Sequence, residues 1–372
     1  MPSFPMKSNR RRWLWLGISA VVLGLIIYNL SRSAEWRAFR WDRFWSSLAH
    51  ARPGFLLAAL AATYTSYLVR AYRWKFFLDP IKKASVWVLF VGQILGFSSI
   101  YLIGRLGEFV RPAYIARKEN VPISSMVAVL VLERVYDTVF LVLLFAGALY
   151  MAPRDPAASR AGTILARLDE AGLVMFLATA LLVGMLVWFR LRAEAATRGL
   201  AGLFGFLPAR GRHHFEHFLR SFADGLKVIQ NWKDLLASVI STVILWVLNA
   251  SVFWLVFQAL GGELARLTWL ATTVVLFFAV IGLAVQFPGV GGGYQVAAIL
   301  ALTEVFNVGV EAATGAAILV WIMISVPCLL LGAALLVHEG LTFRRLKAIA
   351  EEERAASEQA RVPPSVRSAL TS

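Results

Sequence analysis

Apolar stretches separated by short basic or glycine-containing breaks run along most of this chain, at residues 13–30, 54–72, 86–103, 124–150, 171–190, 233–260, 268–287, 289–306 and 311–337. Several reach the roughly 18 residues that mark a transmembrane helix. They predict an all-α polytopic membrane protein. Between the first two stretches, residues 31–53 hold five arginines. Trp41, Phe44, Trp45 and Leu48 recur there at i, i+3, i+4, i+7. That period predicts an amphipathic helix lying in the membrane interface, its arginines meeting lipid phosphates on the outer face.

Lysine and arginine set the orientation. Basic residues crowd the N-terminal tail, the 70–85 link (Arg70, Arg73, Lys75, Lys82, Lys83), the 190–233 link and the start of the C-terminal tail (Arg344, Arg345, Lys347). The positive-inside rule places all four in the cytoplasm, and with them both termini. Residues 13–30 are longer than a signal-peptide core and lack a small-x-small cleavage site, so they read as a retained anchor helix.

Fitting the remaining stretches to this orientation leaves two that must return to the face they came from. Residues 86–118 enter from the cytoplasm and turn near 104–107. Residues 268–306 enter from outside and turn at 288–293. The chain then has about six full spans and two re-entrant hairpins, in repeats at 54–150 and 233–337 of opposite orientation. Such an inverted repeat is the architecture of alternating access about a midplane site. The plainer alternative makes each hairpin two ordinary helices. The membrane domain is drawn as 1–343, with an amphipathic cytoplasmic link at 190–232 and a disordered polar tail at 344–372.

The net charge of +15 changes little in this picture. It is spread beside the spans, where it attracts anionic headgroups, and no stacking-aromatic pattern points to nucleic acid. The one cysteine, Cys328, lies in an apolar run and reads as packing. His213, His214 and His217 lie among arginines and read as a solvated helix face, so no metal and no cofactor is expected.

On this segmentation three basic residues remain at membrane depth: Arg105, Arg111 and Arg134, beside Glu108, Glu133 and Asp137. Ionised groups in hydrocarbon are costly unless paired or facing a polar cavity, and so mark a candidate site. Arg105, Glu108 and Arg111, three apart, share one helix face. Glu133 and Asp137, four apart, share another and can pair with Arg105 or Arg111. Arg134 points about 100° away from Glu133, with Glu108 as one candidate partner. Tyr114 and Gln295 complete the candidate substrate-binding set. Gly104, Gly107, Pro288, Gly289, Gly291 and Gly292 are the candidate hairpin breaks. A helix start at the first tip, flanked by arginine, suits a phosphate. The glycine run at 289–293 follows no strand of a βαβ unit and is not a nucleotide loop. The competing reading of the charges is salt bridges that only hold helices together.

The segment Gly104-Arg105-Leu106-Gly107-Glu108-Phe109-Val110-Arg111-Pro112, followed by Val121-Pro122-Ile123 and Leu132-Glu133-Arg134-Val135-Tyr136-Asp137, resembles the membrane region of lysylphosphatidylglycerol synthases. So do Phe287-Pro288-Gly289-Val290-Gly291, Val308-Gly309-Val310, Pro327 and Gly332. Two positions depart from the family's pattern: Gln295 stands where a glutamate is common, and Trp321 and Ile322 where an arginine is. The resemblance implies the lipid-translocating half without the soluble aminoacyltransferase domain.

The leading expectation is a non-enzymatic transporter, flippase-like, in a bacterial cytoplasmic (inner) membrane. It moves an anionic phosphate-containing lipid, either a phospholipid or an isoprenoid-linked headgroup. A proton, through Glu108, Glu133 or Asp137, is a further candidate partner, and a homo-oligomer is a further candidate state. Two alternatives stand beside it. One is a lipid-modifying transferase with Glu133 and Asp137 as general acid and base. The other is an assembly partner of envelope lipid-synthesis enzymes.

Overall fold

The computed structural model describes residues 39–151, 232–283, 286–287 and 291–339, together with Leu177, Leu181 and Gly184. Outside the described residues lie the segments 13–30 and 171–190 (those three residues apart), the 190–231 link with its histidines, the 344–372 tail, Pro288 and Gly289. The described part is a bundle of nine helices: α1 Trp41–Ala49, α2 Pro53–Leu78, α3 Val86–Ile103, α4 Val110–Glu119, α5 Ile123–Met151, α6 Trp232–Leu260, α7 Trp269–Gly282, α8 Gly293–Leu300 and α9 Val310–His338. Of these, α3, α6 and α9 are long and apolar enough to cross a membrane.

Local chemistry fixes the element ends. Pro53 opens α2 in the first turn, where its missing N–H costs nothing. Asn120, left-handed at φ 52°, closes α4. The Thr268 hydroxyl accepts from the Ala271 N–H and caps α7. Gly104 closes α3 at φ 68°, a backbone conformation that glycine adopts freely.

Past Gly104 the chain doubles back. A 3-10 segment, Gly104–Phe109, leads into α4, and both run antiparallel along α3. Three glycines make this approach possible. A methyl group on Gly92 would sit 2.8 Å from Ile115, on Gly96 2.7 Å from Arg111 Cβ, and on Gly107 2.3 Å from backbone atoms of Ser99 and Ile100. At the base of the hairpin, the Ser85 N–H donates to the Glu119 carboxylate at 2.9 Å, and Lys82 donates to the Glu119 carbonyl.

The second hairpin joins α7 to α8. At about 1.5 Å per residue, the 14 residues of α7 span roughly 21 Å, short of the roughly 30 Å of a bilayer core. The turn differs from the all-helical expectation. Gln286–Phe287 and Gly291–Gly292 pair as a two-residue antiparallel ladder, which meets backbone hydrogen-bonding needs where the helix is broken. Gly292 has φ 84°, and Gly282 packs against the Gly293 backbone so closely that a Cβ has no room. A π turn, Ala301–Val305, extends α8. The 286–287 strand touches the 3-10 segment of the first hairpin, so the two tips meet.

The order long helix, hairpin, long helix thus occurs twice. The leading helices, α2 and α6, pack closely and run antiparallel, with the Arg52 N–H donating to the Ala259 carbonyl at one end. Each hairpin also packs on the closing helix of the other unit. Phe145 of α5 stacks on Phe277 of α7 with ring centroids 3.7 Å apart. Ser98 of α3 donates to the Cys328 carbonyl of α9 at 2.9 Å. Two apolar cores result, one around each hairpin, and α5 and α9 contribute to both. In α1, Phe44 is buried while Trp41 and Trp45 are exposed, and the helix lies over the start of α9, where Gly315 leaves room for Phe44 and Ser47.

One boundary corrects the sequence reading. The sequence pattern assigns Arg70 and Arg73 to a cytoplasmic link at 70–85, overlapping the end of the 54–72 stretch. The helix continues to Leu78 and carries both inside the bundle.

Candidate functional site

Along α2 the residues that face the bundle follow a helical period: Thr63, Ser66, Tyr67, Arg70, Arg73, Trp74 and Phe77. The polar ones fall on the stripe that an apolar helix would fill with leucine. Thr63 and Ser66 return their hydroxyls to backbone carbonyls of their own helix. Arg73 has no such local partner and is completely buried.

Its partners come from α5. Arg73 donates to Asp137 at 2.5 Å and 3.3 Å through its two terminal nitrogens, and to Glu133 at 2.6 Å. Thr242 of α6 lies 3.4 Å away. Glu133 is shared. Its other oxygen accepts from Arg111 of α4 at 2.5 Å, and Arg111 also donates to Gln93 Oε1 of α3 at 2.6 Å. The Arg111 guanidinium lies over the Trp74 ring, 4.4 Å from its centroid. Gly96 makes this reach possible, because it lets the α4 backbone at Arg111 settle against α3.

Two guanidinium groups and two carboxylates are therefore locked together with exposures of 8% or less. Planar, two-pronged donors matched to carboxylate oxygens are the arrangement in which buried charges are tolerated. Around this core, Arg73 Nε, Trp74 Nε1 and Gln93 Nε2 are buried without a partner among the described residues. All three are N–H donors.

Arg70 stands one turn before Arg73 and Trp74. It is partly buried, with its guanidinium 5.1 Å from the centre of the Phe97 ring. Among the described residues it has no hydrogen-bond or ion-pair partner. Counting Arg70, Arg73 and Arg111 against Glu133 and Asp137, positive charge exceeds negative by one.

The structure distributes the sequence candidates unevenly. It joins Arg111 to Glu133 directly and links Asp137 to them through Arg73. Arg134 is exposed, and among the described residues no ion pair ties it to Glu108, so the pairing expected from the sequence is not formed. Arg105 lies in the 3-10 segment, with its side chain outside the described set. Glu108 is partly buried in the same segment. Tyr114 is buried against Gly92 and points toward Lys118 and Glu339, away from the charge cluster. Gln295 lies on α8 in the second hairpin, partly buried. Sequence reasoning missed Arg73, Arg70 and Gln93. The signal was present in the 63–66–67–70–73–74–77 stripe, but charge counting assigned its basic half to a loop.

The family described as the lysylphosphatidylglycerol synthase TM region matches residues 12–332, which include every member of this cluster and both hairpins. The chain belongs to that family. As a lysylphosphatidylglycerol synthase TM-region protein, it is a membrane protein connected with lipid metabolism. Among curated proteins, none matches the chain.

Proposed function

We propose that this protein is a flippase-like transporter of the bacterial cytoplasmic membrane that binds and moves an anionic, phosphate-containing lipid. The observation that carries the reading is the excess of guanidinium over carboxylate in a cluster buried between helices of an apolar bundle. Such a cluster attracts an anion, and in a membrane the abundant anions are lipid headgroups. Family membership supports the lipid class. In this reading the chain crosses the membrane six times, with both termini in the cytoplasm. Its two hairpins enter from opposite faces as parts of an inverted repeat. The recurring element order, the antiparallel α2–α6 pair and the meeting of the hairpin tips support that arrangement. Movement of lipid, without chemical change to it, is the assigned activity.

The test is lipid translocation in proteoliposomes made with a fluorescent phosphatidylglycerol, comparing the wild type with Arg111→Ala and Arg105→Ala. Loss of movement in both variants, with protein that still elutes as a folded species, is the expected result. Normal movement by both overturns the reading.

A further inference from the structure

We propose that α9 is hinged at Pro327, that its two halves move with different hairpins, and that the Tyr67 hydroxyl is the catch that holds the hinge in the conformation seen here. The proposal concerns how the bundle changes shape and stands apart from the identity of any cargo.

The two apolar cores divide the helices unequally. Helices α3 and α4 pack in the core of the first hairpin, and α6, α7 and α8 in the core of the second. Among the described residues, α2, α5 and α9 supply buried side chains to both. On α9 the change is abrupt. Val320 and Ile324 pack in the second core, Cys328 and Leu335 in the first, and Pro327 falls between them. On α5 the change falls between Tyr136 and Phe140, beside Asp137.

Chemistry weakens α9 at this point. Pro327 lies inside the helix. It has no N–H for the Met323 carbonyl, and its ring crowds the preceding turn, a recognised cause of helix bending. The Ser325 hydroxyl returns to the Trp321 carbonyl at 2.7 Å, a bond that itself favours a bend. Two neutral hydrogen bonds steady the helix from outside. Tyr67 of α2 donates to the Ile324 carbonyl at 2.6 Å, just before the break. Ser98 of α3 donates to the Cys328 carbonyl at 2.9 Å, just past it. Helices α2 and α5 are held differently. Arg73 joins them through its ion pairs with Glu133 and Asp137, and parting buried charges is far costlier than breaking a neutral hydrogen bond. The seam between the cores is thus pinned at α2 and α5 and yields most easily at α9.

Each half of α9 is also fastened to its own partner. At its start, the Gly309 N–H donates to the Glu263 carboxylate, in the turn after α6, at 2.9 Å, and Glu311 accepts from the Arg40 N–H at 3.1 Å. At its end, Lys118 of the first hairpin pairs with Glu339 at 2.6 Å. Relative movement of the hairpins must be taken up between these ties. Arg70 lies one turn from Tyr67 on the same side of α2, so release of the catch loosens the flank that carries this arginine.

Pulsed electron-spin distance measurement tests the proposal on the full chain in lipid nanodiscs, with spin labels at Leu236→Cys on α6 and Val337→Cys on the second half of α9. Both positions are exposed, and the buried Cys328 stays unlabelled. Tyr67→Phe is expected to raise the population of a second distance about three- to tenfold, as for loss of a neutral hydrogen bond. Adding Pro327→Ala is expected to abolish that second distance while the melting temperature is kept or raised, since alanine restores the helical N–H. An unchanged distribution in Tyr67→Phe overturns the catch. A second distance that persists after Pro327→Ala is added overturns the hinge. If the doubly substituted protein does not accumulate, Pro327→Leu carries the same expectation. Failure of the lipid-translocation assay alters none of these outcomes.

Discussion

At the scale of single residues, burial separates arginines that look alike in the sequence. Arg73→Ala leaves Asp137 without its guanidinium and Glu133 with only one, inside an apolar bundle. The expected loss is about 3–5 kcal/mol, read as a large fall in melting temperature of the detergent-purified protein. Arg134→Ala, on the exposed side of α5, should stay within about 0.5 kcal/mol of the wild type in the same measurement. Helical spacing was enough to place Glu133 and Asp137 on one face and to bring Arg111 into their company. It was not enough to find Arg73. A basic residue late in a membrane helix and one in the following loop look the same to a charge count, and only the packing of α2 on α5 and α6 tells them apart.

At the scale of elements, the hairpins depend on missing side chains. Gly107→Ala drives a methyl group into the backbone of Ser99 and Ile100. Overpacking of this kind costs typically about 1–3 kcal/mol, and here rigid backbone receives it, so the variant should show a lower yield of monodisperse protein on size-exclusion chromatography. A second prediction concerns the tie between the first hairpin and the end of α9. Lys118 pairs with Glu339 at 2.6 Å. The Lys118 ammonium and the Tyr114 hydroxyl hold the Glu339 carboxyl below its ordinary value, against the opposing effect of burial. A carboxyl whose folded value is depressed stabilises the fold above its unfolded value, near 4.5, and loses that contribution as pH falls through the folded value. Melting temperatures of wild type and Glu339→Gln should therefore differ at neutral pH and converge in the acid range below pH 4.5. The element map was largely legible, since apolar runs at 86–103, 233–260 and 311–337 coincide with α3, α6 and α9 to within a residue. The strand pair at 286–287 and 291–292 was not, because two residues carry no period to read.

At the scale of the whole molecule, the antiparallel α2 and α6 set the two units in opposite directions. In the proposed inverted repeat, the turn after α2 and the turn after α6 open on opposite faces of the membrane. Lys82→Cys and Gly262→Cys should then react with an impermeant maleimide from opposite sides of sealed vesicles. The buried Cys328 should give no background. Labelling of both from the same side contradicts the inverted arrangement. The reciprocal docking of hairpins on closing helices also bears on how the protein is made. Ser98 and its partner Cys328 are 230 positions apart, so the flank of α3 that will meet α9 stays uncovered through most of synthesis. Contacts this distant in sequence form late and leave partly folded chains prone to misassembly. A ribosome that stalls before α9 releases a chain whose first hairpin has been built but has nothing to close it, and such a fragment is a natural target for the membrane's quality-control proteases.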